Sequence, residues 1–330
     1  MRKKLSTAAE FTEGILRSDR ILLSRAITLV ESKRPEHQAL AQEIIEKCLP
    51  HTGNSVRIGV TGSPGAGKST FIEAFGSSLI ASAERRPAVL AIDPSSQKSK
   101  GSILGDKTRM EKLSANQNAF IRPSPAGDSL GGVAAKTRET MLLCEAAGYD
   151  TILIETVGVG QSEIAVHGMV DFFLLLLIPG AGDDLQGIKR GIVEMADLVA
   201  INKTDGDRIK LAKSAVKDYR QALHLYPPKE SGWTPKVVTC SALEQIGMDG
   251  IWEQINEFQL LTKTNGWFGE NRKEQSRNWF YEAMEQQLKQ LFFQNKQVLS
   301  QLQEAEKQVV EGEMTVSNAA KKMIDLFKQS

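Results

Sequence analysis

Gly62-Ser63-Pro64-Gly65-Ala66-Gly67-Lys68-Ser69-Thr70 follows directly on a strand pattern at residues 57–61 and precedes Phe71, Ile72, Phe75 and Leu79 at helical spacing. This is a complete Walker A pattern in the strand-to-helix setting that its chemistry requires. Glycines let successive backbone N–H groups close around phosphate oxygens, and the positive end of a helix dipole adds to the attraction. Lys68 has the reach for β- and γ-phosphates, and the Ser69 hydroxyl suits a Mg²⁺ ion. A loop of this kind belongs to a doubly wound α/β fold, with its ligand at the carboxyl ends of parallel strands.

Outward from that loop, apolar runs at 58–60, 88–92, 120–121, 152–154, 172–178, 198–201 and 237–239 alternate with helical patterns. That alternation predicts a mostly parallel sheet with helices on both faces. Before it, residues 1–53 carry apolar positions at helical spacing, Leu22, Ala26, Leu29 and Val30 and then Leu40, Ile44 and Cys48, and are expected to form a small helical prefix. The nucleotide-type domain is expected at 54–264. Residues 265–330 are rich in Gln and Lys and read as long helices. Within them Met284, Leu288, Leu291, Asn295, Val298, Leu302, Ala305 and Val309 recur at alternating steps of four and three, a seam that wants a facing helix. It either packs on its own domain or forms a homodimer arm; the second is favoured, with Asn295 as a polar seam residue that fixes register.

Phosphate-bound magnesium needs carboxylates near strand ends. Asp93 closes the run 88–92, and Glu155 closes 152–154 ahead of Thr156-Val157-Gly158. Glu155 and Gly158 resemble a Walker B acid and a γ-phosphate-sensing glycine. Asp106 lies in a loop, 101–109, that could order on nucleotide binding. Farther along, 198–201 runs into Asn202-Lys203-Thr204-Asp205, and the last strand runs into Ser241-Ala242-Leu243. A carboxylate only accepts, and guanine offers two adjacent donors on its pairing edge, so Asp205 selects guanine over adenine. The Lys203 stem can cover the base, the Ala242 N–H can meet O6, and Asn202 ties the loops together.

At this point the chain resembles GTPases, and more narrowly the MeaB family, also known as ArgK-type or methylmalonyl-CoA mutase-associated GTPases. The resemblance covers nearly the whole chain: residues 26–32, 59–70, Asp93-Pro94-Ser95-Ser96, 101–110, Glu155-Thr156-Val157-Gly158-Val159-Gly160-Gln161-Ser162-Glu163, 179–189, and the segment with Arg272, Gln275 and Trp279. It implies GTP/GDP and Mg²⁺ as ligands and an adenosylcobalamin-dependent acyl-CoA mutase, foremost methylmalonyl-CoA mutase, as partner. Cobalamin delivery and protection would be gated by GTP. Gly180, Gly182, Asp183, Asp184 and Lys189 look like a partner-sensing switch. One departure is Gln97-Lys98-Ser99-Lys100, where the family has a Thr-Gly-Gly type loop; it makes a metal contact by Asp106 less secure than one by Glu155. No water-orienting glutamine follows Gly158, so slow hydrolysis that a partner accelerates is expected.

Composition is consistent with a chain that works through sites. A net charge of +1 over 330 residues offers no global field for nucleic acid or membrane. The apolar run at 172–178 is far short of the roughly 20 residues a spanning helix needs, and no signal-length stretch follows Met1. Three cysteines without ligand spacing suit buried thiols in a reducing compartment, so a cytoplasmic location is expected. Two other functions share the nucleotide motifs. A nickel-type metallochaperone needs soft or imidazole ligands, but His37, His51, His167 and His224 are scattered. A kinase of a transport-binding protein would use ATP, against which Asp205 argues.

Overall fold

The computed structural model describes residues 6–92, 110–123, 130–156, 162–180 and 190–329. Among them, seven strands form one sheet: β1 (Val56–Gly62), β2 (Pro87–Ile92), β3 (Phe120–Arg122), β4 (Thr151–Thr156), β5 (Phe172–Leu177), β6 (Leu198–Ile201) and β7 (Lys236–Thr239). Their order is β3-β2-β4-β1-β5-β6-β7, and every pairing is parallel. The seven apolar runs read from sequence are these seven strands. β1, β2, β4, β5 and β6 are buried along their whole length, which is why they read as continuous apolar runs without alternation. β1 sits between β4 and β5, so the loop that leaves it opens at the middle of the carboxyl edge.

The helix Lys68–Ala83 buries Phe71, Ile72, Phe75 and Leu79 against that sheet, in one core with Val60, Leu174 and Phe258. Phe71 and Phe75 stack at 5.4 Å, and Phe258 meets Phe172 edge-on at 5.1 Å. The cysteines Cys48, Cys144 and Cys240 are all buried and free. No helix among the described residues is long and apolar enough to cross a membrane.

Two compact units divide the chain, Met1–Lys273 and Glu274–Ser330. In the first, the helices Ala8–Leu16, Arg20–Glu31 and Pro35–Cys48 pack on one another and on Leu130–Ala146. A capping box of Thr7 and Glu10 starts the first of them, and the Asp19 carboxylate caps the second. In the second unit Asn295 takes a part other than the one its seam position suggests. It ends the long helix Trp267–Gln294 and caps Lys296–Val310, its side chain accepting from the N–H groups of Gln297 and Val298. The four-three spacing therefore runs across two helices, and Val298 and Ala305 are buried while Leu288 and Leu291 stay exposed. Lys296–Val310 packs against Val316–Lys328, where Ala319 and Met323 are buried.

At the amino end of the sheet, charges are paired away from water. Arg57 donates from Nε and Nη2 to the two oxygens of Glu145, at 2.9 and 3.1 Å, with side-chain exposures of 6% and 1%. Ser55 Oγ and the Gly53 N–H also donate to Glu145. Beside it, Asp171 accepts from the Arg57 N–H at 2.8 Å and from Arg272 Nε and Nη2 at 2.8 and 2.7 Å. Arg272 further donates to the carbonyls of Gly53 and Ser55, so a single guanidinium closes the entrance to β1.

Burial alone would push the Glu145 carboxyl up, but the hydrogen bonds and charge of Arg57, with Ser55 and Gly53, hold it below its ordinary value. A depressed carboxylate stabilises the fold above its unfolded pKa, and that stabilisation disappears as pH falls through the folded value. Glu145→Ala takes the carboxylate away from the buried Arg57 guanidinium, and should cost about 3–5 kcal/mol in urea unfolding at pH 7. The gap between variant and parent should narrow in acid; a cost below about 1 kcal/mol would show that the pair contributes little.

Candidate functional site

Gly62 ends β1 in register with Leu176 of β5. At φ 156° a Cβ here would lie 2.2 Å from the Leu176 carbonyl oxygen, so only glycine lets the chain turn out of the sheet at this point. Gly67, at φ 87°, occupies the N-cap position of Lys68–Ala83 and gives it no side-chain cap. The first N–H groups of this helix are therefore left for an anion. Ser63 Oγ is buried without a hydrogen-bond partner, an acceptor or donor waiting inside the loop. Pro64, Gly65 and Thr70 are exposed on the loop's outer side, and Ala66 is buried.

Lys68 curls back over this loop, its Nζ donating to the carbonyls of Gly62 at 2.8 Å and Ser63 at 3.3 Å. Burial pushes its ammonium below the usual lysine range, and the charges of Glu155 and Glu163 oppose the shift. Ser69 Oγ donates to Glu155 Oε1 at 3.0 Å. That contact joins the start of the helix to the carboxyl end of β4, and from the next position of that strand the Thr156 hydroxyl donates to Thr61 Oγ1 at 2.9 Å across the β4–β1 pair. The hydroxyl of Ser69 and the carboxylate of Glu155 form an all-oxygen pair of the kind a hard divalent cation takes. Glu163, to which sequence alone gives no role, is fully buried on the short helix Ser162–His167 and bears on the same ammonium. The signal that could have found it is a carboxylate at a helix start one step past a glycine-rich segment.

Two loops from the far strands close on the phosphate loop. Asn202, buried at the end of β6, donates from Nδ2 to the Ala66 carbonyl at 2.9 Å and accepts at Oδ1 from the Ala242 N–H at 3.0 Å. One amide thus joins three loops. The N–H of Ala242 is consequently given to Asn202 here, instead of pointing free toward a base oxygen. Lys203, at φ 60°, stretches its Nζ to the Gly65 carbonyl at 2.8 Å, so its stem bridges the same gap. Ser241 Oγ donates to Asp205 Oδ2 at 3.1 Å and accepts from the Glu244 N–H, which fixes the acid's orientation with one oxygen left over. Leu243 is exposed at the rim.

Gly180 follows β5 at φ 85°, where an added Cβ would sit 3.6 Å from Leu211 Cδ1. Asp93, Asp106, Gly158, Gly182, Asp183, Asp184 and Lys189 lie outside the described residues.

A glycine loop between a buried strand and an uncapped helix, a serine–glutamate pair beside it, and an acid-tipped loop tied to it by one asparagine define a P-loop GTPase. The profile described as "Methylmalonyl Co-A mutase-associated GTPase MeaB" matches residues 23–297, and the chain belongs to that family. It is 52% identical over 313 residues to a "Putative GTPase" of Caulobacter vibrioides, covering 95% of each chain. It is 49% identical over 290 residues to "GTPase ArgK" of Escherichia coli, covering 88% of this chain and 87% of the relative. Among solved structures it resembles that of a "LAO/AO transport system kinase", with a TM-score of 0.78, 38% identity and full coverage of both chains.

Membership in this family makes the ligand a guanine nucleotide, and the sequence expectation is that Asp205 reads its pairing edge. Losing a hydrogen bond to a charged acceptor costs about 1.5–3 kcal/mol. Asp205→Asn should therefore weaken GDP binding by roughly 10- to 150-fold in calorimetry and leave ADP binding as poor as before. An unchanged preference for guanine would assign base reading to another group.

Proposed function

We propose that this chain is a GTP-hydrolysing chaperone that gates adenosylcobalamin delivery to, and protection of, an acyl-CoA mutase, foremost methylmalonyl-CoA mutase. The family description supports the partner class. The observation that carries the gating is the 3.0 Å contact between Ser69 and Glu155. Residues 157–161 follow Glu155 after a single threonine, so whatever changes at this pair on hydrolysis is delivered to the next segment of chain.

In hydrolysis the chain's own work is to hold the triphosphate and offset its charge. Loop N–H groups from Gly62 to Thr70 would surround the phosphates, and Lys68 would leave its two loop carbonyls for phosphate oxygens. Ser69, with Glu155 and with Asp93 and Asp106, would hold Mg²⁺, which would offset phosphate charge when bound. Gly158 would offer its N–H to the γ-phosphate. None of these residues is an obvious base or water-orienting amide, which supports slow turnover by the protein alone. Gly180, Gly182, Asp183, Asp184 and Lys189 would carry the nucleotide state to the mutase.

For the switch role, Lys189→Ala should leave GTP affinity within about twofold and abolish the rise in turnover that the mutase causes. Undiminished stimulation would remove Lys189 from the switch. A second reading, a kinase of a transport-binding protein, is favoured only by the name that the similar solved protein carries. Labelled phosphate appearing on a protein acceptor instead of in water would support it.

We also propose a homodimer through the second unit. Phe280, Leu288 and Leu291 on the helix Trp267–Gln294 are exposed by 58–60%, an apolar face that suits a second copy of the same helix. Leu288→Glu with Leu291→Glu should halve the mass measured by light scattering and leave GDP binding intact. A parent chain that is monomeric at tens of micromolar would rule the dimer out.

A further inference from the structure

A cavity of about 690 Å³ lies within the first unit, at the amino ends of β5, β6 and β7 and so at the opposite edge of the sheet from the phosphate loop. That volume falls in the range of small-molecule sites. Its lining includes Trp267 and Tyr226 together with Trp233 and Phe173, the last two almost wholly buried, and the His167 ring is set edge-on to Phe173 at 5.4 Å. Burial pushes the imidazole of His167 below its ordinary value, more than Asp197 raises it, so the ring adds no positive charge at neutral pH.

The charges in the lining are unequal. Asp197 is satisfied by Lys229 Nζ at 2.6 Å and by the Phe173 N–H at 2.8 Å, and Asp171 is gripped by Arg272. Glu194 and Glu230 also line the cavity, are exposed, and make no ion pair among the described residues. Two exposed glutamates without an ion pair among the described residues therefore border a space whose lining also includes aromatic residues. One of those rings already holds a cation, since Lys236 Nζ lies 5.0 Å from the centroid of Trp233.

We propose that this cavity is a regulatory site for a small organic cation with a flat apolar body, of the aryl-ammonium or aryl-amidinium class. Aromatic faces attract the cation and bury its body, and the two glutamates supply the missing counter-charge. The regulatory part follows from what else lines the space. His167 is the last residue of Ser162–His167, the helix that follows residues 157–161. Glu194 and Met195 end Arg190–Met195, the helix that follows residues 181–189. A ligand held between these two helix ends restrains the elements leading from both switch segments, and so alters GTP turnover.

The test uses the full chain with benzyltrimethylammonium as probe, and benzoate and benzyl alcohol as anionic and neutral controls. Trp233 and Trp267 make tryptophan fluorescence a direct report of occupancy, with calorimetry as the second readout. Saturable binding of the cation is expected, with little of either control. Glu194→Gln with Glu230→Gln should weaken the cation by about tenfold or more, as losing a desolvated cation site does. Both side chains are exposed, so the variant keeps its fold and its GDP affinity. The cation should change GTP turnover of the parent at least about twofold and leave the double variant unaffected. Equal binding of benzoate, equal binding by the double variant, or no saturable binding overturns the site. Binding without any change in turnover overturns its regulatory role.

Discussion

The Asn202 side chain is the contact on which the nucleotide edge depends. Its amide is buried, donates to the Ala66 carbonyl in the phosphate loop and accepts from the Ala242 N–H in the loop after β7. Three segments far apart in sequence are thereby set at fixed distances by one rigid, planar group. Buried amides cost free energy unless every polar atom is matched, so this one admits few alternative arrangements of the loops. Lys203 repeats the span from the next position, through its bond to the Gly65 carbonyl. The spacing between the phosphate loop and the loops after β6 and β7 is thus set by the protein's own contacts.

Opposite that edge, the sheet is held by charge. Arg57 is the second residue of β1 and Gly62 its last, so the strand that presents the phosphate loop is anchored at its other end by Glu145, Asp171 and Arg272. Buried ion pairs are poor sources of net stability, yet they are severe about geometry, because a displaced partner leaves a bare charge in a low dielectric. A central strand fixed in this way cannot slide relative to β4 and β5. The register that brings Gly62 against Leu176, and Val60 level with Glu155, is kept by the same constraint.

Much of this was legible in the sequence, for reasons that differ from one residue to the next. Strands buried on both faces are mostly apolar, so β5 announces itself as Phe172–Leu177 without any neighbour being known. The phosphate loop is legible because its chemistry is local: glycines, lysine and serine act within nine consecutive positions. Asn295 was less readable, since an asparagine in a seam and an asparagine capping the next helix leave the same mark on hydrophobic spacing. The use of the Ala242 N–H depends on where a side chain forty positions away comes to rest, which no local pattern contains. The same holds for Glu163, whose importance lies in its burial near Lys68. The aromatic cavity is farther still from any motif, being assembled from several separate stretches of chain.

Burial of all three thiols gives the protein a practical property. Desolvation raises each of them, Cys240 to about 12, so the nucleophilic thiolate is scarce as well as shielded from reagents. Native sulfur is therefore silent toward maleimides under mild conditions. A pair of cysteines introduced on the surface can carry dyes or spin labels by themselves, with no need to strip the natural residues first, and the distance between them in the working molecule becomes directly measurable.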